Sequence, residues 1–174
     1  MPMKEYGIDK KLETNIAYLS LGSNLKNKAD NIFEACTFIK KEIGPIIKLS
    51  KLYITEPWGI KNQNKFLNQV LSIETSLNPL DLLITCKKIE KKMGRISSIR
   101  WGERLIDIDI LYYNNSIINM KKLSIPHIQI AHRKFILIPL TEIDPNYVHP
   151  LLDLTNQQLL KKTNDNCSVI EYGL

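Results

Sequence analysis

The sequence predicts an α+β fold in which helices pack on one mainly antiparallel sheet. Two observations support this class. Segments with strand periodicity and segments with helical periodicity follow one another in the order strand, helix, strand, strand, helix, strand. In addition, the strand around Ile108 keeps one polar face, which an antiparallel sheet tolerates because that face can meet water. The order of elements is the split β-α-β pattern of ferredoxin-like folds.

The first half of the pattern is a strand and a helix joined by a turn. Residues 16–21 form a short apolar strand that ends at Gly22, Ser23 and Asn24. Apolar residues at helical spacing predict the helix that follows, and a Gly-Pro pair stops it. These residues are Ile32, Cys36, Ile39 and Ile43, followed by Gly44 and Pro45.

Two strands come next. The first covers residues 46–54, with an irregularity near Ser50, and a long polar loop at 55–65 follows it. The second covers residues 66–75, where the alternation of apolar and polar side chains predicts one buried face.

The second helix has well-marked boundaries. Asn78 is its predicted N-cap and Pro79 its first residue. Its buried stripe runs up to Gly94 and comprises Leu82, Leu83, Cys86, Ile89 and Met93. A loop at 95–104 then leads to a strand that contains two aspartates, and a turn leads on to a further short strand.

The last third of the chain is harder to assign. Two prolines interrupt the apolar run at 124–143, so its period fits either a helix or a strand. Thr155 and Gln158 have the spacing of a capping box, which predicts a final helix at 156–162.

Length and charge limit the classes of function. A chain of 174 residues is of single-domain size, and we expect one domain at 15–174 after a mobile extension at 1–14. The 24 basic and 18 acidic residues give a net charge of +6. This excess fits a partner that carries phosphates, either a nucleotide or a nucleic acid, although a solvated basic surface is the commoner explanation of so modest an excess.

Cysteine usage and hydropathy suggest a cytoplasmic protein. Cys36, Cys86 and Cys167 are widely separated and lack C-x-x-C spacing, so they predict neither a disulfide framework nor a zinc site. No apolar run approaches the roughly 20 residues of a membrane span, and the charged start differs from a signal peptide.

Two carboxylates interrupt a strand whose other residues are apolar. Ile106, Ile108 and Ile110 share one face of the extended chain, and Asp107 and Asp109 share the other. Residues two apart lie roughly 6.6 Å from each other, so two ionised carboxylates repel by about 2.5 kcal/mol at an effective dielectric of 20. The expected compensation is arginine or lysine side chains, ordinary solvent on a wet face, or a hard ion such as Mg²⁺ together with substrate phosphates.

Cationic side chains cluster next to these carboxylates. Arg95, Arg100 and Arg104 lie in the loop just before them, and His127 and Arg133 form a second basic group further along. The guanidinium fork matches phosphate oxygens. The alternative is a surface ion-pair cluster with little effect on stability.

Aromatic residues border the polar loops. Phe66, Asn68, Phe135 and Trp58 could clamp a flat heterocycle between ring faces with an amide at its edge, and the alternative is core packing. The sequence contains neither G-x-x-x-x-G-K-[ST] nor G-x-G-x-x-G, so ATP would not be held by a Walker A loop.

Taken together, these residues resemble one known family, the 6-hydroxymethyl-7,8-dihydropterin pyrophosphokinases of folate biosynthesis. The matching motifs run collinearly from about Ile16 to Pro150: LGSN, YITEPWG, FLNQV, EKKMGR, RWGERLIDIDIL and LSIPHIQIAHRKFILIPLTEI. The resemblance implies a ferredoxin-like fold and transfer of pyrophosphate from ATP to the pterin hydroxymethyl group. Attack falls on the β-phosphorus, and the products are AMP and the pterin diphosphate.

The resemblance also implies roles for individual residues. Asp107 and Asp109 would hold two Mg²⁺ ions, and Arg95 and Arg104 would complete the catalytic group. The implied ATP site comprises Lys87, Glu90, Arg95, Arg100, Trp101, Arg104, Ile110, Lys122, Ser124, His127 and Arg133. The implied pterin site comprises Thr55, Glu56, Trp58, Phe66, Asn68, Trp101, Asp107 and Phe135. The resemblance implies a monomer that binds small molecules and has no nucleic-acid or membrane partner. It leaves open an association with neighbouring folate-pathway enzymes.

The chain departs from the family pattern at three positions. Ser97 stands where many members have a second loop arginine, Glu103 where proline is common, and Ile128 where a proline or aromatic residue often follows the histidine. With Ser97 the loop has one guanidinium fewer, which bears on how the loop closes and how ATP is released, since such loops often gate turnover.

Two rival functions fit part of the sequence. A ferredoxin-like nucleic-acid-binding module fits the basic charge, but no RNP1-type aromatic pattern occurs and an acidic pair would repel phosphates in the absence of metal. A metal-dependent nucleotidyltransferase with another substrate would keep the aspartates but need no aromatic clamp.

Overall fold

A computed structural model describes residues 14–57, 62–95 and 102–173 of the chain, and these contain eight strands and four α-helices. The strands are β1 (Asn15–Ser23), β2 (Ile46–Leu49), β3 (Tyr53–Thr55), β4 (Phe66–Thr75), β5 (Asp107–Tyr113), β6 (Ile118–Met120), β7 (Leu123–Ile125) and β8 (Val169–Glu171). The helices are α1 (Lys28–Glu42), α2 (Pro79–Lys92), α3 (Lys134–Ile143) and α4 (Asn156–Lys162), and one turn of 3-10 helix spans Ile130–His132.

The main sheet is antiparallel and confirms the predicted α+β fold. Its strand order is β5-β1-β4-β3-β8, and β2 also pairs with β4. The two helical crossovers, α1 and α2, place β5 beside β1 at one edge of the sheet, as the ferredoxin-like pattern requires. Strands β6 and β7 form a separate hairpin. No described strand pairs with the outer side of β5, and we call this side its free edge, although the Leu111 carbonyl accepts a hydrogen bond from the His127 backbone N–H at 2.9 Å. This edge is important for the candidate site.

Both faces of the main sheet are covered. Helices α1 and α2 pack on one face, where Leu19, Leu71 and Ile108 are fully buried. Helices α3 and α4 pack on the other face, against Val70 and Leu111. The face that carries the aspartates is therefore sheltered by α3 for part of its length and is not a plain solvent-exposed face.

The predicted alternation of β5 is confirmed as far as Ile110, because the three isoleucines are all buried on the α1/α2 side. Beyond it Leu19 pairs with Ile110 whereas Tyr18 pairs with Tyr112, so β5 carries one extra residue at this point. Both Leu111 and Tyr112 then pack in the α3/α4 core.

The segment predicted as one strand at 46–54 is divided into β2 and β3, with the break at the expected position. Ser50 is buried at the break, and its hydroxyl accepts a hydrogen bond from the Val70 backbone N–H at 3.0 Å. The Gln69 side chain donates to the Ser50 carbonyl at 2.7 Å. Side chains thus satisfy polar groups where the regular ladder is interrupted.

The helix boundaries agree with the predicted caps. The Asn78 side chain accepts hydrogen bonds from the N–H groups of Leu80 and Asp81, and Thr155 and Gln158 form the reciprocal capping box. The ambiguous segment at 124–143 contains β7, the 3-10 turn and α3, and Pro139 lies inside α3. Strand β8 was not predicted. Within the described part of the chain, no helix combines the length and the apolar character that a membrane span requires.

Candidate active site

A cavity of about 590 Å³ opens beside the aspartates, where α3 leaves one end of the sheet uncovered. Its lining comes from the ends of β1, β3, β4 and β5, from the segment just before β5, from α2 and the residues after it, from the segment after β7 and from the start of α3. It brings together twelve of the predicted site residues. These are Thr55, Glu56, Phe66, Asn68, Lys87, Arg95, Arg104, Asp107, Asp109, His127, Arg133 and Phe135.

The two aspartates line the cavity from β5, opposite small residues of β1. Asp107 pairs with Gly22 and Asp109 pairs with Ser20 in the antiparallel ladder. A Cβ atom at Gly22 would lie 3.3 Å from the Asn68 Oδ1 atom, so the glycine leaves this part of the cavity open. The sequence had placed Gly22 after the end of β1, but the strand continues through it to Ser23.

Two arginines neutralise Asp107. The Arg95 Nη1 atom lies 2.7 Å from Oδ1, and the Arg104 Nη1 atom lies 2.5 Å from Oδ2. Burial alone would raise the pKa of Asp107, but these two guanidiniums outweigh it and lower that pKa below its usual value. The negative charge of Asp107 is therefore balanced by arginine side chains of the chain itself, one of the three possibilities considered from the sequence.

Asp109 differs from its neighbour. Among the described residues, no ion pair or hydrogen bond reaches its carboxyl group. Burial raises the pKa of Asp109 to about 7, and the negative charge of Asp107 adds to the shift. A carboxyl group of this kind, facing a cavity, is suited to bind a cation.

The donor set is compatible with Mg²⁺, which commonly binds through one or two carboxylates and completes its shell with water and substrate phosphates. Asp107 and Asp109 offer hard oxygen donors on one strand face. In the ranges that the structure describes, no three His, Cys, Asp or Glu side chains are grouped closely enough to hold an ion.

Glu90 lies behind the cavity wall and organises it. The residue is 3% exposed, and its Oε1 atom accepts from the Ile108 backbone N–H at 2.7 Å and from the Lys87 ammonium at 2.8 Å. The Oε2 atom lies 2.6 Å from the Arg95 Nη1 atom. Because β5 is an edge strand, the Ile108 N–H has no strand partner on this side. Glu90 therefore fixes the peptide between the two aspartates as well as two cations that line the cavity.

Aromatic and amide side chains form the other end of the cavity. Phe66 at the start of β4 and Phe135 in the first turn of α3 both line it. The Asn68 amide donates to the Thr55 hydroxyl at 2.8 Å, and both side chains are buried. Two rings and an ordered polar edge are suited to a flat heterocycle.

His127 and Arg133 add cationic or donor groups to the cavity. Burial lowers the pKa of His127, so its neutral form dominates at pH 7. Its Nδ1 atom accepts from the Gln129 backbone N–H at 3.3 Å, which leaves the proton on Nε2 as a donor. Arg133 is the residue that precedes α3.

Four predicted site residues within the described ranges do not line the cavity. Glu90 lies behind it, Lys122 and Ser124 belong to the β6–β7 hairpin, and the Ile110 side chain is buried in the α1/α2 core. By strand alternation, however, the Ile110 backbone faces the free edge of β5, as does that of Ile108. Trp58, Arg100 and Trp101 lie outside the described residues, together with Ser97.

Five lining residues were not predicted: Ser20, Gly22, Ile128, Gln129 and Ile136. Gly22 and Ser20 carried a usable signal, because small residues in a strand leave space on that face. Ile128 is 67% exposed at the mouth of the cavity, where the family more often has a proline or aromatic residue. Glu103, the other described departure from the family, accepts a hydrogen bond from the Asn64 amide at 3.2 Å.

Comparisons with known proteins agree with this geometry. A family model described as 7,8-dihydro-6-hydroxymethylpterin-pyrophosphokinase (HPPK) matches residues 18–145. The Aquifex aeolicus 2-amino-4-hydroxy-6-hydroxymethyldihydropteridine pyrophosphokinase is 44% identical over 134 residues, which cover 77% of this chain and 83% of that protein. The Bacillus subtilis enzyme of the same name is 39% identical, covering 74% and 78%.

Some longer relatives match this chain over only part of their own length. The Schizosaccharomyces pombe folic acid synthesis protein fol1 is 41% identical over 151 residues, which cover 86% of this chain but 21% of that protein. A crystal structure of a Plasmodium falciparum HPPK-DHPS triple mutant with SDX-DHP superposes with a TM-score of 0.72 and 26% identity, covering 86% of this chain and 42% of that one. With most of its length matched in sequence and in fold, the chain belongs to the 7,8-dihydro-6-hydroxymethylpterin-pyrophosphokinase family.

Proposed function

We propose that the cavity beside Asp107 and Asp109 binds both substrates of the family reaction. As a member of this family, the chain transfers pyrophosphate from ATP to the hydroxymethyl group of 6-hydroxymethyl-7,8-dihydropterin in folate biosynthesis. The nucleic-acid module and the nucleotidyltransferase are not favoured. One observation carries the assignment of the site: a carboxyl without a described partner, Asp109, faces a cavity that also contains cationic groups and two phenylalanines.

The phosphate end of the proposed site lies at β5. Asp107 and Asp109 would hold Mg²⁺, two ions in our proposal, and the metal would neutralise phosphate charge at the reacting phosphorus. Arg95 and Arg104 reach the same carboxylate and present N–H donors suited to phosphate oxygens. Lys87, His127 and Arg133 extend this lining. Transfer then depends on alignment and charge neutralisation rather than on a protein nucleophile.

The remaining nucleotide contacts are proposed from the family resemblance. Arg100 and Trp101 belong to this group, with Lys122 and Ser124 of the β6–β7 hairpin. Ile110 would act through its backbone, because its side chain is buried. Glu90 would act indirectly, since Ile108, Lys87 and Arg95 occupy its carboxylate.

The pterin end of the proposed site lies between β4 and α3. Phe66 and Phe135 would stack on the two faces of the ring, and Asn68 with Thr55 would meet its amide edge. Glu56 lines the same end. Trp58 and Trp101 are proposed to close over the bound pterin.

We also propose that the protein works as a monomer in the cytoplasm. The three cysteines are free thiols, which suits a reducing compartment. Relatives such as the Plasmodium falciparum HPPK-DHPS protein carry the matching region within a longer chain, which supports association with other folate-pathway enzymes.

The test of the proposed activity is AMP formation from ATP and Mg²⁺ in the presence and absence of hydroxymethyldihydropterin. We expect AMP formation to require both substrates and to yield one pterin diphosphate for each AMP. AMP release that is independent of the pterin would contradict the assignment, and RNA binding without AMP release would favour the nucleic-acid module.

Replacing Phe135 with alanine is expected to raise the dissociation constant of the pterin by about 10- to 100-fold, since a stacking ring with its apolar area is lost. The dissociation constant of ATP should change less than about threefold. Calorimetric titration with each ligand separately would measure both values. The matched control is Phe33→Ala, because Phe33 on α1 is 76% exposed and does not line the cavity. Equal losses for both ligands would make Phe135 an ordinary packing residue.

A further inference from the structure

The helix that forms one wall of the cavity lacks a cap from its own sequence. Arg133 is the N-cap residue of α3 but makes no side-chain capping bond, and the first turn contains no acidic residue. This turn carries Phe135 and Ile136 into the cavity. The start of α3 therefore needs an acceptor from elsewhere in the fold.

A residue of the C-terminal segment supplies that acceptor. The Asp165 Oδ2 atom accepts from the Lys134 backbone N–H at 2.8 Å, across 31 residues of sequence. The Oδ1 atom accepts from the Cys167 N–H at 2.9 Å, and the Asp165 N–H donates to the Thr163 hydroxyl at 3.3 Å. Asp165 is thus held by its own loop while it caps α3.

The same segment is attached to the opposite wall. After Cys167 the chain forms β8, whose residues pair antiparallel with β3, and Thr55 lies opposite Val169. The Tyr172 N–H donates to the Leu52 carbonyl at 2.8 Å, and Lys51 and Glu171 form an ion pair at 2.9 Å. Strand β3 ends at Thr55, which lines the cavity, as does Glu56 after it. Residues 163–172, which we name the C-terminal strap, therefore join both walls.

We propose that Asp165 is a positioning residue for the pterin end of the site, which rests on the function proposed above. By capping α3 from a strap anchored on β3, it sets the spacing between Phe135 and the Thr55–Glu56 wall. A flat ring must fit this spacing closely to be stacked and to meet the polar edge. The strap lies beyond residues 18–145, the part that the family model matches.

The test compares two variants at Asp165. Asp165→Ala is expected to raise the KM for the pterin at least tenfold, while kcat and the KM for ATP stay within about twofold. Asp165→Asn keeps one acceptor oxygen instead of two, so it can serve either the Lys134 N–H or the Cys167 N–H but not both. Its pterin KM should therefore lie between that of the unmodified protein and that of Asp165→Ala. The matched control is Thr155→Ala, which removes the cap of α4, a helix that does not line the cavity. It should lower the Tm without changing the pterin KM.

A second variant removes the same hydrogen bond from its donor side. Lys134→Pro deletes the N–H at the first helical position, where proline is tolerated, and the extended backbone of Arg133 is compatible with a following proline. Lys134→Pro should raise the pterin KM as Asp165→Ala does, whereas Lys134→Ala, which keeps the N–H, should not. The double variant Asp165→Ala/Lys134→Pro should have a pterin KM no higher than that of either single variant, because both changes remove the same hydrogen bond. If Asp165→Ala does not fold, the Lys134→Pro variant tests whether this hydrogen bond affects the pterin KM.

Two outcomes would overturn the inference: an unchanged pterin KM in both capping variants, or equal changes in the KM values for pterin and ATP. Both outcomes differ from a failure of the proposed function. If the proposed function were wrong, the unmodified chain itself would form no pterin-dependent AMP.

Discussion

Replacing Asp109 with asparagine is expected to reduce AMP formation by at least about 10³-fold while the fold becomes more stable. The loss of activity follows because a hard anionic oxygen is removed from the proposed metal site. The gain in stability follows because burial and the neighbouring Asp107 charge disfavour the ionised carboxyl. AMP formation and thermal unfolding of the same preparation would measure the two effects.

The gain in stability should depend on pH. The pKa of Asp109 is raised to about 7 in the folded protein, whereas an unfolded aspartate titrates near 3.9. Between these values the folded state binds more protons than the unfolded state, so raising the pH destabilises the unmodified protein. Asparagine removes this penalty. The increase in Tm caused by Asp109→Asn should therefore be larger at pH 8 than at pH 5.

The matched control is Asp107→Asn, which should also abolish turnover but lower the Tm at pH 7. Here the substitution removes the charge that holds Arg95 and Arg104, and the pKa of Asp107 is lowered rather than raised. The stabilising contribution of Asp107 is present above the unfolded pKa and is lost as the pH falls. Near-normal turnover of either variant, or the same stability change in both, would contradict the roles assigned to this pair.

Replacing Glu90 with alanine is expected to lower the free energy of unfolding by about 3–5 kcal/mol, because two partly buried cations and an edge N–H lose their partner. The milder Glu90→Gln variant should fold and lose about 10- to 100-fold in kcat, as substitutions behind a metal site commonly do. Urea unfolding and steady-state kinetics would measure these changes.

The control for Glu90 is a more exposed ion pair, which joins the end of α2 to the end of α1. Lys92 and Glu42 lie 2.8 Å apart, the same distance as Lys87 and Glu90, but both groups meet solvent. Glu42→Gln should cost less than about 1 kcal/mol and leave kcat unchanged. If Glu90→Gln instead raised only the KM for ATP, Glu90 would contact the nucleotide directly, as the family resemblance alone implied.

The features that the sequence predicted correctly are those set by residues close together in the chain. The aspartates of β5, the cap at Asn78 and the break at Ser50 depend on residues close together in the chain, and the structure has all three. Strand β8 and the start of α3 were missed because both depend on distant partners. β8 pairs with β3 across more than one hundred residues, and α3 is capped by Asp165.

The candidate site divides in the same way. Residue types and motif order were sufficient to name Lys87 of α2, the two aspartates of β5 and His127 after β7, but not Ile128 and Gln129, which also line the cavity. They did not distinguish Asp107 from Asp109, because the two carboxylates have equivalent positions in the strand. Folding separates them by bringing Arg95 and Arg104 to Asp107 alone. Likewise, the position of Glu90 behind β5 follows from α2 packing along the free edge of the sheet.

The order of amino acids alone was enough to predict the fold class, the family and the face of β5 that carries the two aspartates. Periodicity and motif spacing are local properties that a linear chain already contains. The pairing of charges, the covering of the second sheet face and the strap that joins the cavity walls were settled by folding. These features arise from contacts between residues far apart in the chain, whose energies depend on geometry that no local pattern specifies.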